Sequence, residues 1–380
     1  PGVLPNVGLT RHYNEYDSFA HIIGYVGPVS EKDLDKGKNV DPILQIPKFQ
    51  VGKVGIEKKL ENYLRGTAGV SRVEVNASGR VMRELNRAEG KSGANIHLTI
   101  DTKLQKFVSE RLNDLSASAV FMNAKSGEIL SLVSTPSYNP NKFVLGISKT
   151  DWEALLNDKR KPLLNKATSG AYPPGSTFKM VVAAAALELG LIGLRDKIFC
   201  PGYYELGSRK FHCWHKGGHG TLALTEAIQK SCDVYFYELS RKVGVKNITR
   251  MAKKFGLGEP YSLPLTGMTK GFMPSKEWKK GRFGKSWLVG DTLNVGIGQG
   301  YSLASPLQLT VMASRIASGQ ITTPYLMTFD QMKKSQSNKI AGLEIREDIL
   351  RAIRKGMYNV LNDKDGTAYK YRTIDSVGAR

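Results

Sequence analysis

A serine and a lysine three positions apart are the residues of this chain whose types and spacing most directly suggest catalysis. They are Ser176 and Lys179, in the segment Pro-Pro-Gly-Ser-Thr-Phe-Lys at 173–179, and the apolar run Met180 to Leu187 follows at once. Residues three apart on a helix share a face, so the hydroxyl and the amine are neighbours. A serine can act as a nucleophile when a neighbouring base takes its proton. The pattern therefore predicts a serine activated without a histidine.

The expected start of this helix favours the same chemistry. The two prolines and Gly175 cannot extend a helix backwards, so it must begin near Ser176, where unpaired N–H groups and the positive end of the helix dipole gather. Burial and the dipole both disfavour the ammonium form of Lys179, so the amine can accept a proton. The alternative is an ordinary serine cap with a lysine that extends to solvent. Because Ser-x-x-Lys is short and common, the first interpretation needs partner residues.

A second motif, Ser231-Cys232-Asp233, supplies such partners. It follows a stretch of helical character at 222–230 and precedes an apolar run at 234–237. Ser-x-x-Lys, then Ser-x-Asn or Ser-x-Asp, then Lys-Thr-Gly is the signature of the penicillin-recognising serine acyltransferases. With its two motifs the chain resembles that group, and most of all the elongation-type class B penicillin-binding proteins.

The resemblance extends over nearly the whole chain. Residues 19–27 resemble the membrane-side pedestal of these proteins, and residues 96–101 resemble the beginning of their catalytic domain. Residues 290–292 and 296–300 resemble the stretch before the closing strands. The resemblance implies an α+β penicillin-binding transpeptidase fold, in which an antiparallel sheet with packed helices adjoins a helical subdomain and a small pedestal precedes both.

We expect the N-terminal pedestal at residues 1–93 and the transpeptidase domain at residues 94–380. Periodicity and turn residues predict the following elements in chain order: a helix near 56–64, a strand at 71–75, a linker at 90–93, a strand at 96–100, a helix at 103–115, and a hairpin at 119–134 that turns at 123–127. The buried helix after Ser176 is expected to pack on this sheet, with the active site between the sheet and the helices.

The resemblance implies a peptidoglycan D,D-transpeptidase that acts through a serine acyl-enzyme during cell elongation and needs no cofactor for catalysis. Ser176 would attack the carbonyl between the two terminal D-alanines of a wall stem peptide, and Lys179 would take its proton. Ser231 would pass a proton to the leaving amine. Asp233 would bind the donor peptide or steady Lys179 and Ser231. A neighbouring stem peptide completes the cross-link, whereas a β-lactam mimics D-Ala-D-Ala and acylates Ser176.

A Gly-x-Gly-x-Gly run provides three candidate substrate-binding residues, Gly298, Gln299 and Gly300. It is not a dinucleotide fingerprint, because Tyr301 and Ser302 follow where the third spaced glycine should stand. We expect a tight turn near the cleft.

No Lys-Thr-Gly occurs in the 380 residues. In the family that strand supplies a lysine and a threonine for the substrate carboxylate and a backbone N–H for the oxyanion hole. The chain ends at residues 377–380, about where family members approach the strand. We therefore expect that the sequence is cut short and that this fragment alone has little activity.

The chain is strongly basic, with 55 Lys and Arg against 34 Asp and Glu and a net charge of +21. The basic residues are spread from Lys36 to Lys370 without a long block or a nucleic-acid module, so a nucleic-acid partner is disfavoured. An anionic membrane surface, the carboxylates of wall peptides, or simple solvation of the lysines all fit this charge.

Localisation and protein partners follow from the resemblance. The chain has no initial Met and no apolar run near the length of a membrane span. The family implies an omitted single-pass anchor in the bacterial inner membrane and a catalytic domain in the periplasm. It also implies that a membrane glycosyltransferase and other elongation-complex proteins bind through the pedestal.

The three cysteines and one histidine form a possible metal site. Cys200, Cys213, His219 and Cys232 supply three thiolates and an imidazole, a set suited to structural zinc. Cys232 is the middle residue of Ser-Cys-Asp, so a metal there would fix that loop. A Cys200–Cys213 disulfide and three unlinked thiols are alternatives, and His212 or His215 could replace His219 as the ligand.

Two other functions compete with the transpeptidase. A class D β-lactamase or β-lactam sensor also carries Ser-Thr-Phe-Lys, but such proteins usually have an apolar residue at the position of Asp233 and have no pedestal like residues 1–93. The second alternative is a non-catalytic scaffold that holds wall-synthesis partners through its pedestal and basic surface.

Overall fold

A computed structural model describes residues 10–34, 42–46, 49–327 and 340–372. Parts of both expected domains, including the chain end at 377–380, lie outside these residues. The α-helices in chain order are α1 (Tyr16–Ile23), α2 (Glu31–Leu34), α3 (Gly55–Lys59), α4 (Glu61–Leu64), α5 (Thr102–Leu112), α6 (Lys149–Asn157), α7 (Lys179–Glu188), α8 (Leu224–Gln229), α9 (Asp233–Lys254), α10 (Lys276–Phe283), α11 (Val289–Gly296), α12 (Pro306–Ser318) and α13 (Glu347–Asn362). Short 3-10 helices cover Pro42–Gln45, Pro140–Phe143, Gly175–Phe178 and Tyr369–Tyr371.

The strands form antiparallel pairs throughout the described residues, as the sequence predicts. They are β1 (Val26–Pro28) with β2 (Gln50–Gly52), β3 (Val70–Val75) with β4 (Val81–Ala88), β5 (Ala117–Met122) with β6 (Ile129–Thr135), β7 (Lys197–Cys200) with β10 (Gly220–Ala223), and β8 (Tyr203–Leu206) with β9 (Arg209–His212). The predicted hairpin at 119–134 is β5 and β6, and its turn lies at the expected residues.

The N-terminal region contains two parts with different environments. Every residue of β3 and β4 is exposed, so this hairpin projects into solvent. By contrast, α1 packs against the region that follows: Gln105 Nε2 donates to Ser18 O at 2.6 Å, and Tyr138 Oη donates to Ala20 O at 3.2 Å. The expected pedestal therefore contains an exposed arm, β3–β4, and a segment around α1 that packs against the residues that follow it.

The predicted strand at 96–100 is wrong. The segment is extended, but it forms only an isolated bridge between Leu98 and Met327. Its polar groups bond instead to two neighbours, since Thr99 N donates to Leu326 O and Thr99 Oγ1 donates to Ile129 O. Split hydrogen bonding of this kind satisfies the backbone without a continuous ladder.

Three helix predictions need smaller corrections. The helix expected at 103–115 is α5, which begins one residue earlier and ends three earlier; Asp101 caps it by accepting from Leu104 N at 2.9 Å. The helix expected near 56–64 is interrupted into α3 and α4. The helical stretch at 222–230 begins as strand β10 and becomes helical only at α8.

Helix α7 is the apolar helix after Ser176, and it does not pack on the β5–β6 hairpin as expected. Its residues Val181 to Ala186 lie in a core built with α8, α9, α11 and α13. Ile129 and Leu132 of the hairpin belong to a separate core with residues of α1, α3 and α12. Helix α7 is apolar around its whole circumference, so it is stable only when other helices surround it. None of the helices in the described part of the chain combines the length and apolar character needed to span a bilayer.

Candidate active site

The turn that carries Ser176 is held from both sides. Ser176 lies in the 3-10 turn Gly175–Phe178, directly before α7, so the predicted helix start is confirmed. Thr177 Oγ1 donates to Pro174 O at 2.7 Å, and Gly175 N donates to Gly298 O at 2.9 Å. Gly175 has φ of 58°, a left-handed conformation that side chains disfavour. The sequence Pro-Pro-Gly thus places the hydroxyl at a helix N-terminus.

Lys179 is buried, as predicted, with 1% of its surface exposed. Its Nζ donates to Ser231 O at 2.7 Å, to Ser231 Oγ at 3.0 Å and to Asp233 Oδ1 at 2.7 Å. Three acceptors match the three N–H bonds of an ammonium group. The surrounding fold therefore satisfies this buried cation completely.

Ser231 connects Lys179 to Ser176. Its Oγ donates to Ser176 Oγ at 2.9 Å. Ser231 has φ of 51°, rare for a residue with a side chain, and lies in the turn between α8 and α9. Among the described residues no hydrogen bond joins Lys179 Nζ directly to Ser176 Oγ. The sequence suggests a direct pair, whereas in the structure the connection runs through Ser231, because Lys179 is fully engaged by residues 231 and 233.

Asp233 is the first residue of α9, where a carboxylate is stabilised by the helix dipole. Its Oδ1 pairs with Lys179, and its Oδ2 accepts from Trp214 N at 2.9 Å. The Trp214 indole also donates to Lys230 O at 3.1 Å and Ser231 O at 3.0 Å. The sequence motifs do not indicate Trp214, because it lies in the loop between β9 and β10. That loop brings it to Ser231 and Asp233, which are 17 and 19 positions further along the chain.

The three glycine-run residues lie next to the nucleophile turn, but they differ in accessibility. Gly298 is buried and has φ of 70°; a Cβ there would come within 2.1 Å of Gly175 O. This glycine therefore permits the close approach of two backbones. Gln299 and Gly300 are exposed beside it. Only these two have surface available to a substrate.

Cys200, Cys213, His219 and Cys232 come together, and we call them the Cys/His cluster. Their ligand atoms all lie within 4.8 Å of one another, and the three thiols are buried and free. His219 Nδ1 lies 3.5 Å from Cys213 Sγ and 3.7 Å from Cys200 Sγ. The disulfide alternative is not formed. His212 and His215 are not part of the set, although the His215 ring lies 4.9 Å from that of His219.

The electrostatics of the Cys/His cluster favour at least one thiolate. The hydrogen bond from Cys232 lowers the pKa of Cys213, and backbone N–H groups add to the effect. The same interaction and burial raise the pKa of Cys232. Burial lowers the pKa of His219, which favours the neutral imidazole that binds metals. The donor types and their spacing fit a closed tetrahedral zinc site.

The chain matches two family models. The penicillin-binding protein transpeptidase domain matches residues 117–378, and the penicillin-binding protein dimerisation domain matches residues 1–98. The chain therefore belongs to the penicillin-binding protein family. The α+β transpeptidase fold with an N-terminal pedestal, which the motifs imply, is confirmed.

The chain is similar to proteins named peptidoglycan D,D-transpeptidase MrdA and penicillin-binding protein 2. It is 39% identical over 377 residues to peptidoglycan D,D-transpeptidase MrdA of Haemophilus influenzae, an alignment that covers 95% of this chain and 57% of that protein. A solved complex of penicillin-binding protein 2 and MreC from Helicobacter pylori matches with a TM-score of 0.85 and 35% identity, over 95% of this chain and 66% of that one.

Penicillin-binding protein 2 of Pseudomonas aeruginosa, solved with WCK 5153, matches with a TM-score of 0.81 and 33% identity, over 97% of this chain and 78% of that one. The chain spans only 57% and 60% of the length of the curated relatives from Haemophilus influenzae and Escherichia coli.

Proposed function

We propose that the natural protein is a peptidoglycan D,D-transpeptidase that cross-links stem peptides through an acyl-enzyme on Ser176 and is inhibited by β-lactams. One observation carries the proposal: hydrogen bonds run without interruption from Ser176 Oγ through Ser231 Oγ and Lys179 Nζ to Asp233. A hydroxyl, a buried amine and a carboxylate in this order can remove a proton from the nucleophile and return it. The names of the relatives add support.

Each group has a role in the proposed reaction. The reactive form of the site is the one in which Lys179 has lost its ammonium proton. Ser176 Oγ then attacks the carbonyl between the terminal D-alanines, its proton moves to Ser231 Oγ, and the Ser231 proton moves to the Lys179 amine. The reverse path protonates the leaving D-alanine amine. Asp233 balances the lysine charge when the amine holds its proton. The backbone N–H of Ser176, at the helix start, stabilises the oxyanion as one of two donors.

Release of D-alanine from a synthetic stem peptide that ends in D-Ala-D-Ala tests this proposal, with the full natural chain that contains these residues. We expect Ser176→Ala to abolish release while circular dichroism and unfolding remain those of the parent protein. Ser116→Ala removes a surface hydroxyl outside the site and serves as the matched control. Undiminished release from Ser176→Ala would refute the assignment, and no release from the folded parent protein would favour the scaffold function.

The Cys/His cluster is proposed to hold one structural zinc ion through Cys200, Cys213, His219 and Cys232. The ion would fix the backbone at Cys232, between Ser231 and Asp233, and supply no step of the reaction. Elemental analysis of protein purified without added metal should find one zinc per chain. We expect His219→Ala to lose the metal, whereas His215→Ala, with a neighbouring ring outside the set, should retain it. Zinc-free parent protein would contradict the assignment.

We propose the pedestal at residues 1–93 as the docking region for a membrane glycosyltransferase and elongation-complex proteins, and residues 94–380 as the transpeptidase domain. By resemblance, the protein is anchored in the inner membrane and works in the periplasm. The β3–β4 arm exposes large apolar side chains on a hairpin, as protein-binding surfaces do. They are Val70, Val73, Val75, Val81, Met82 and Leu85. The solved complex of a similar protein with MreC is consistent with such partners.

A further inference from the structure

Trp214 binds the same two groups as Lys179, from the opposite side. Lys179 Nζ bonds to the Ser231 carbonyl and to Asp233 Oδ1. Trp214 Nε1 bonds to the same carbonyl at 3.0 Å, and Trp214 N bonds to Asp233 Oδ2 at 2.9 Å. The lysine approaches from the interior, with 1% exposure, whereas the tryptophan lies at the surface, with 56% exposure. Each acceptor is therefore held between an inner and an outer donor.

Ser231 needs such support because its backbone is strained. A residue with a side chain at φ of 51° persists only where its surroundings hold it. Two backbone bonds fix the turn, from Ser231 N to Ile228 O at 3.0 Å and from Cys232 N to Ala227 O at 2.9 Å. The carbonyl of Ser231 is fixed by Lys179 and Trp214 alone among the described residues. Its orientation sets the direction of the Ser231 side chain, which reaches Ser176 Oγ.

The indole is a second point at which the Cys/His cluster meets this turn, beside Cys232, which lies in the turn itself. Its ring lies 5.4 Å from the His219 ring in an edge-to-face arrangement, and Cys213 precedes it in the chain. An ordered Cys/His cluster thus keeps the indole over the Ser231 carbonyl. The indole thus links the ligand set to Ser231 by a contact that is separate from the backbone link through Cys232.

We propose that Trp214 is a positioning residue for acylation: its indole N–H holds the Ser231 carbonyl so that Ser231 Oγ stays in line with Ser176 Oγ. The inference rests on the proposed function of Ser176. A group that acts in this way accelerates the acylation step without touching the acylating compound.

The test replaces only the N–H. Benzothienylalanine has the shape of tryptophan but no hydrogen-bond donor, and amber suppression can introduce it at residue 214 of the full natural chain. Acylation by a chromogenic β-lactam is then followed over a concentration series, which separates the saturating rate from the half-saturating concentration. Trp287 provides the matched control. Its Nε1 donates to Thr292 Oγ1 at 2.8 Å, and neither residue takes part in the hydrogen bonds that join Ser176, Ser231 and Lys179.

We expect benzothienylalanine at 214 to lower the saturating acylation rate about tenfold, the scale of one lost hydrogen bond, with an unchanged half-saturating concentration. The same replacement at 287 should change neither value. An unchanged rate at 214 would overturn the inference, because ring packing would then suffice. A changed half-saturating concentration at an unchanged rate would also overturn it, since the indole would then contact the β-lactam. A parent protein that is never acylated would refute the proposed function and this inference with it.

Discussion

Ser176, Lys179, Ser231 and Asp233 form the proposed catalytic cluster, which meets the Cys/His cluster at residues 231–233. The two clusters differ in how their polar groups are satisfied. In the catalytic cluster, Lys179 Nζ makes three hydrogen bonds of 2.7 to 3.0 Å, one of them to the Asp233 carboxylate. In the Cys/His cluster, the sulfur-to-imidazole distances are 3.5 and 3.7 Å, and His219 Nε2 is buried with no hydrogen-bond partner among the described residues.

The difference shows which of the two clusters the chain can organise by itself. An ammonium ion, a carboxylate and two hydroxyls have complementary charges and donors, so folding alone holds them together. Three thiols and a neutral imidazole have few donors and no cation to balance a thiolate. We therefore expect the catalytic cluster to be intrinsic to the fold and the Cys/His cluster to depend on a bound cation.

The largest effect should come from removing the amine of the catalytic cluster. Lys179→Met keeps the length and apolar stem of the side chain but removes the base. We expect β-lactam acylation to fall at least about a thousandfold, the scale of general-base catalysis. Unfolding in urea should also show a loss of about 3 kcal/mol, because Asp233 loses its buried partner. Intact mass and denaturation curves measure the two effects.

Lys254→Met is the control for this substitution. Lys254 Nζ pairs with Glu188 Oε1 at 2.7 Å, and Glu188 ends the same helix that Lys179 begins. This pair is partly exposed, so its loss should cost less than about 1 kcal/mol and leave acylation intact. Equal acylation losses in the two variants would mean that the site depends on helix stability rather than on the amine.

A smaller effect concerns the pH dependence of stability and comes from His21, an imidazole outside the Cys/His cluster. Burial lowers the pKa of His21 to about 4, and Lys166 adds to the shift. The pKa of histidine in the unfolded chain is near 6.5. As the pH falls, the unfolded chain therefore binds the proton before the folded protein does. The stability due to neutral His21 is complete above pH 6.5 and is lost as the pH falls toward 4, by about 3 kcal/mol in all.

We expect His21→Gln to flatten the pH dependence of the free energy of unfolding between pH 6.5 and 4. His12→Gln, at an exposed histidine, should leave the slope as it is. The slope that remains in His21→Gln then reports on other groups, including the Cys/His cluster. A slope unchanged by His21→Gln would show that the imidazole is not held neutral by the fold.

Local sequence signals account for much of this arrangement. The Pro-Pro-Gly segment predicts the start of the nucleophile helix, and the apolar run after Lys179 predicts its burial. The residues at 123–127 predict the turn between β5 and β6. The three cysteines of the Cys/His cluster follow from residue type, since the chain has only three, whereas the choice of His219 over His212 and His215 comes from the structure.

The rest depends on contacts between distant parts of the chain, which no local pattern encodes. The left-handed backbone of Ser231 and the position of Trp214 arise only when α8, α9 and the loop before β10 are assembled. The passage of the hydrogen bonds through Ser231, rather than directly from Lys179 to Ser176, depends on the same assembly. Helix α7 packs on helices rather than on the hairpin, because an apolar helix fits either surface and tertiary packing selects one.

Measurement of the intact mass after exposure to penicillin is the most direct test of whether Ser176 is the acylated nucleophile. The full natural chain that contains these residues would be compared with its Ser176→Ala variant under the same conditions. We expect a stable adduct of one penicillin per chain that is absent from the variant and persists for hours, as expected of a transpeptidase rather than a β-lactamase. No adduct on the folded protein, or an adduct that survives Ser176→Ala, would contradict it.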